Sequence, residues 1–352
     1  MNDPCSLLMA PINMLKRIIY LGYYFKELDW EKLNKFIDYV ADEKGISYFK
    51  LWKDSIVSSL KYNISITEYF LFRFYELSEA ERATYAGTGY MYEYQKLMNP
   101  PTSRKILIDK KLFLQAYSKF VRHPYLAMEE IQTSDRTEAL LHNQTGKIVL
   151  KKSDGQCGVG IEVKNAAEFD KKSLYKHLKA TGNDMVEAFV QQHKQLNALS
   201  PSGLNTIRII TQLSTEDEVD IIGTRLRITV NSAVDNLAAG NIAAPIDPDS
   251  GIVTGPGIYS DITKEDKEKH PVTGVSIVGF KIPFWKETLA MVKEAALLHK
   301  ENRSIGWDVA ITDEGPELIE GNHDWCKLLW QLPVKRGLKP VLETYKKAYL
   351  DK

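Results

Sequence analysis

Cysteine is scarce in this chain: three residues in 352, at Cys5, Cys157 and Cys326. An odd number without zinc-like spacing argues against a disulfide framework and a structural metal site, and fits a reducing cytoplasm. An excess of one charge is also missing, since 46 basic residues balance 46 acidic ones. A chain built to wrap nucleic acid would carry a basic surplus. No run approaches the roughly 18 apolar residues that span a bilayer. Met1 to Phe25 is not expected to be a secretory signal, because the first charge is Asp3 and Lys16-Arg17 interrupts the apolar stretch. What is there, 44% hydrophobic and 26% charged, is ordinary globular composition, long enough for two or three lobes.

Apolar residues recur at three- and four-residue spacing in the first hundred positions (Leu15, Ile18, Ile19, Tyr23; then Leu33, Phe36, Ile37, Val40), which predicts helices. Tyr69, Phe70, Phe72, Phe74 and Tyr75 crowd the next stretch and are expected to form the core of a helical domain, residues 1–104, closing near Asn99-Pro100-Pro101. A basic amphipathic helix around Lys16-Arg17, lying on a membrane surface, is the other reading. Beyond the prolines, short strands and helices mix, so residues 105–352 are expected to be an α+β body. Expected strands cover 147–151, 161–163, 185–190, 206–213, 219–230, 307–311 and 317–320. Helices are expected over 109–121, from a cap at Asn165 to about Ala180, and over 283–303.

Lys151-Lys152-Ser153-Asp154-Gly155-Gln156-Cys157-Gly158-Val159-Gly160 is the first chemical feature. Glycine lets backbone amides close around phosphate oxygens. A P-loop or a Rossmann turn would open a helix, whereas here Ile161-Glu162-Val163 reads as a second strand. The segment is therefore a hairpin flap with Lys151 on its entering strand, either a lid over a nucleotide or an ordinary Gly-rich turn. Cys157 has no histidine nearby in sequence and reads as a small flap residue.

The strongest signal runs from Gly306 to Asn322. Two apolar runs separated by Thr312-Asp313-Glu314-Gly315-Pro316 predict a β-hairpin. With the turn centred on Glu314, Asp308 faces Glu320 and Val309 faces Ile319. Like charges about 4.5–5.5 Å apart are destabilising, and Asn322, two residues on, shares their face. Two carboxylates and an amide oxygen converging there make a hard-cation site of the kind Mg²⁺ occupies. A register slip of one residue would instead point the acids to opposite faces. Arg225 and Arg227, two apart, share a strand face and can ladder with neighbouring acids.

In order and spacing, lid lysine, Gly flap and late Asp with Glu-x-Asn resemble the ATP-grasp superfamily from about Ile106 to Trp330. Asn205-Thr206-Ile207-Arg208, Arg225-Leu226-Arg227, Asp235-Asn236 and Gly240-Asn241 look most like its sugar-transfer associated group. The resemblance implies two lobes gripping ATP (about 105–186 and 187–352). It implies Lys110 and Lys151 on phosphates, and a flap of Gly155, Gly158 and Gly160. Glu187, Ala188, Phe189 and Val190 would form an adenine-binding hinge, and Mg²⁺ would sit on Asp308, Glu320 and Asn322. For Arg225 and Arg227 it implies a bidentate grip on a substrate carboxylate and a phosphoryl group, and Arg208 is a similar candidate. His193 stands where relatives carry a ribose contact, though a capping histidine reads equally well. His323-Asp324-Trp325 departs from the Pro-Gly turn of many relatives. The implied reaction is a cytoplasmic, ATP- and Mg²⁺-dependent carboxylate–amine ligation through an acyl phosphate, on a sugar acid, amino sugar or amino acid. The alternatives are a small-molecule phosphotransferase and a non-catalytic ATP-binding scaffold. Expected partners are small-molecule carboxylates and amines, with a homodimer allowed, no nucleic acid and no stable membrane insertion.

Overall fold

The computed structural model describes residues 4–155 and 160–351; Cys157 and Gly158 of the flap lie outside the described residues. Two compact units divide the chain: Met1–Leu97 with Ile258–Asp266 and Cys326–Lys352, and Met98–Gly257 with Lys267–Trp325.

The first unit is helical. It opens with α1 (Pro4–Lys26), α2 (Trp30–Lys44) and α3 (Tyr48–Tyr62). Asp29 caps α2 by accepting the Lys32 amide, and Gly45, at φ 63°, closes it in the left-handed region that glycine adopts without strain. Ser47 caps α3 in the same way through the Lys50 amide. Leu33, Phe36, Ile37 and Val40 bury one face of α2 against Tyr69, Phe70, Phe72 and Phe74, as the periodicity and aromatic crowding predict. The stripe on α1 behaves differently: Leu15, Ile18, Ile19 and Tyr23 are each more than half exposed. Its basic pair is turned to the protein instead, Arg17 donating to the carbonyls of Leu60 and Lys61 and Lys16 pairing with Glu93. Among the described residues no helix is long and apolar enough to cross a membrane.

The second unit carries two antiparallel sheets. One orders β1 (Tyr125–Ala127), β4 (Met185–Ala188), β2 (Lys147–Lys151) and β3 (Glu162–Asn165). Ile148, Leu150 and Val186 pack its inner face against Leu174 and Leu178 of the helix Lys171–Thr181. By alternation, Val149 and Lys151 face the other way. The helix expected from Asn165 begins later. Asn165 caps only a 3-10 turn through the Ala167 amide, and Asp170 caps the α-helix through Ser173. The second sheet orders β7 (Ile242–Pro245), β6 (Val219–Ile228), β5 (Ile207–Leu213), β8 (Ser304–Thr312) and β9 (Gly315–Asn322). One of its faces is closed by Trp307, which meets Tyr117 edge-on at 5.3 Å and donates to Thr211. The helix expected over 283–303 is shorter, Trp285–Leu298, starting after Phe284 in the left-handed region. That expected over 109–121 ends at Ala116 and passes into a 3-10 turn.

Candidate active site

The β8–β9 hairpin brings Asp308 opposite Glu320, by a route the sequence does not suggest. Its turn holds two residues, Asp313 and Glu314, so Thr312 pairs with Gly315, Ala310 with Glu317 and Val309 with Leu318. Continued unbroken, that register would set Asp308 against Ile319 and leave Glu320 on Trp307's face. A bulge at Ile319 adds one residue to β9, and the pairing resumes as Asp308 with Glu320 and Gly306 with Asn322. The expected opposition of Val309 and Ile319 is thereby corrected to Val309 and Leu318. A bulge re-aims a side chain; here it turns Glu320 onto the face of Asp308.

The register continues across the sheet. Arg225 pairs with Arg208, Arg208 with Asp308, and Asp308 with Glu320. Directly opposed residues share a face, so one row crosses four strands as Arg, Arg, Asp, Glu. Arg208 grips Asp308 with two hydrogen bonds (2.5 and 2.9 Å), and Arg227 adds a third at 2.7 Å. Arg227 also holds Asp235 at 2.7 Å, and Asp235 accepts the Thr206 hydroxyl and amide. Burial opposes ionisation of Asp308, but the two guanidinium charges hold its carboxyl far below the ordinary range. Glu320 moves the other way. Burial first, then the charge of Asp308, pushes its carboxyl up.

Of the two lysines, Lys151 ends β2 of the first sheet and Lys110 comes from a helix. Lys110 opens the helix Lys110–Ala116, which Asp109 caps through the Lys111 and Leu112 amides. Its backbone amide donates to the Ser153 carbonyl, and its ammonium reaches the Gly155 carbonyl. Asp184 fixes the flap base by accepting the Ser153 amide (2.6 Å) and hydroxyl (2.7 Å) and pairing with Lys111 (2.8 Å). Burial pulls the Lys110 ammonium down. Lys151 lies 2.7 Å from Glu187 of β4, in a nearly buried pair. Burial opposes the charge on Glu187, yet Lys151 and His123 draw its carboxyl down to about 2.

These groups line one cavity of about 210 Å³. Of the residues expected from sequence, Lys110, Lys151, Gly155, Glu187, Ala188, Phe189, Val190, Arg227, Asp308 and Glu320 all reach its wall. Arg208 and Arg225 are not on that wall: the first grips Asp308, and the second, buried, donates to the Thr224 carbonyl. Gly160, at φ 76°, is not on the wall, though its neighbour Ile161 is. Of the two readings of His193, the structure shows the cap: its ring accepts the Gln195 amide at the start of the helix Lys194–Leu199. Asn322 stands behind Glu320, its amide nitrogen 3.2 Å from Oε1. Sequence reasoning missed the roles of Lys152, Thr206 and Asp235, which also line the cavity, and of His123. The Asp235-Asn236 motif was the available signal for the third.

Among the described residues no three of His, Cys, Asp and Glu gather around a metal position. The donor set still fits Mg²⁺. Two facing carboxylates, Asp308 buried and Glu320 partly so, carry a repulsion that a divalent cation would relieve, an amide lies beside them, and phosphate oxygens and water ordinarily complete such a shell.

A family model described as sugar-transfer associated ATP-grasp matches residues 90–347. Among curated proteins no sequence match is found. Solved structures similar to this chain include biotin carboxylase from Campylobacter jejuni in complex with an ATP analogue (12% identity, 70% of this chain and 47% of that one, TM-score 0.44). Another is D-alanyl-alanine synthetase A from Vibrio cholerae (13%, 71% and 67%, TM-score 0.41). A third is the ATP-grasp ligase PsnB with a minimal precursor (12%, 79% and 72%, TM-score 0.42). The chain spans less than half the length of the biotin carboxylase.

Proposed function

We infer that this chain, which belongs to the sugar-transfer associated ATP-grasp family, is an ATP- and Mg²⁺-dependent carboxylate–amine ligase. A sugar acid, amino sugar or amino acid is the substrate class, in glycan or natural-product assembly. The observation that carries this reading is the cavity itself, where Lys110 and Lys151 face Asp308, Glu320 and Arg227. Phosphoryl transfer needs mainly positioning and charge neutralisation.

In this reading Lys110 and Lys151 bind phosphate oxygens as point charges. The strand end Glu187–Val190 holds the base, and the flap from Lys152 excludes water. Asp308, Glu320 and Asn322 would hold Mg²⁺, which supplies charge neutralisation between phosphate oxygens. Arg227, already on the wall, orients the substrate carboxylate for attack on the γ-phosphorus. The bond to the ADP oxygen breaks as the acyl phosphate forms. An amine then attacks the acyl carbon, phosphate leaves, and the amine loses a proton. Arg208 acts behind the wall by keeping Asp308 ionised and aimed.

A screen of amino acids and sugar acids for Mg²⁺-dependent ADP release tests the reading. Hydroxylamine should trap the acyl phosphate, and inorganic phosphate should appear with the amide. A phosphorylated product without free phosphate would mean a phosphotransferase, and no turnover with any substrate would leave only a binding scaffold.

A further inference from the structure

Lys151 does not stand alone on its carboxylate. Glu187, its partner, also faces His123, whose Nε2 lies 3.5 Å from the same Oε2. The other ring nitrogen, Nδ1, lies 2.8 Å from Glu317 of β9, and the backbone amides of Arg122 and His123 donate to that same Glu317 oxygen. All four side chains, those of Glu317, His123, Glu187 and Lys151, are at most 10% exposed. They form an alternating chain of charge that starts on the strand carrying Glu320 and ends at the cavity wall. His123 itself does not line the cavity, and its Nε2 and the Glu187 Oε1 have no hydrogen-bond partner among the described residues.

We propose that His123 is a positioning residue for nucleotide binding: it holds Glu187 away from fully neutralising Lys151 and ties that pair to β9 through Glu317. The inference rests on the nucleotide reading of the cavity. Burial disfavours a charged imidazole, but the two carboxylates reverse this and raise His123 to about 9, so the ring carries a proton at neutral pH. With the imidazolium in place, two acids and two cations cancel. Without it, Glu187 has only Lys151 to pair with, and one net negative charge remains beside the phosphates.

Calorimetric titration of the full chain with ADP tests this. Loss of the positive charge that balances this cluster should weaken ADP binding by about tenfold in His123→Gln. The double variant His123→Gln/Glu317→Gln removes the extra negative charge and should recover most of that loss, which a purely structural role for His123 would not allow. If His123→Gln fails to fold by thermal melting, Glu317→Gln carries the test: it leaves one net positive charge and should bind ADP more tightly than the parent protein, and unchanged affinity would overturn the role. Equal ADP affinity in the parent and His123→Gln, or no recovery in the double variant, would overturn the positioning role while leaving the cavity's nucleotide reading intact. If the parent protein binds no ADP at all, both fall.

Discussion

In the five-stranded sheet Asp308 receives three guanidinium hydrogen bonds from Arg208 and Arg227, whereas in the four-stranded sheet Lys151 reaches one oxygen of Glu187. An ammonium has three donors, so Lys151 keeps capacity for phosphate oxygens while Asp308 is held rigidly in place. The contrast separates two jobs by bond count. One sheet supplies a fixed platform, and the other supplies charges that can still turn to a ligand.

The comparison breaks most visibly at Asp308. Asp308→Asn should abolish ADP production and cost roughly 3–5 kcal/mol in urea unfolding, because it leaves the buried Arg208 guanidinium without its partner charge and Arg227 with Asp235 alone. Glu320→Gln should abolish production equally but change stability by less than about 1 kcal/mol, since it removes one of two facing acids. Equal destabilisation by both would erase the distinction between gripped and ungripped carboxylates. Deleting Ile319 sharpens the point: without the extra residue the regular register itself sets Glu320 opposite Asp308, so ADP production should survive in a protein whose circular dichroism stays native. Lys151→Met should lower ADP affinity about tenfold and destabilise less than Asp308→Asn, as read by the same titration and melts.

A further effect is in pH. His123 is raised above the ordinary histidine value of about 6.5 to about 9. A raised group adds stability that is fully present below its unfolded value and disappears as pH climbs through its folded value. Melting temperature should therefore fall between about pH 6.5 and 9, and His123→Gln should flatten the slope. Glu187, drawn down to about 2, contributes in the opposite sense and only on acidification.

Much of the fold was legible because it follows local rules. The strand Lys147–Lys151 has the ends that its residues predict, and the Leu33–Val40 stripe is buried as its spacing requires. Local rules also misled. Asn165 looked like a helix cap, but Asp170, with extended backbone and Ser173 three residues on, is the better one. The α1 stripe has helical spacing yet faces outward, since spacing shows that a helix has two faces and not which one is covered. At the site, the Asp308–Glu320 pairing was legible though its cause was not. A three-residue turn and a two-residue turn with a bulge end in the same opposition, and only the backbone distinguishes them. His123 was invisible for another reason: its partner Glu317 is 194 positions away, and no spacing rule reaches that far.

The guanidinium grip on Asp308 has a consequence for handling the protein. The platform brings its own counter-ions, so its fold does not wait for a metal. Exhaustive treatment with a chelator should silence catalysis while leaving the melting curve where it was. The divalent ion would then be a reagent that arrives with the nucleotide, and not a rivet that holds the sheet together.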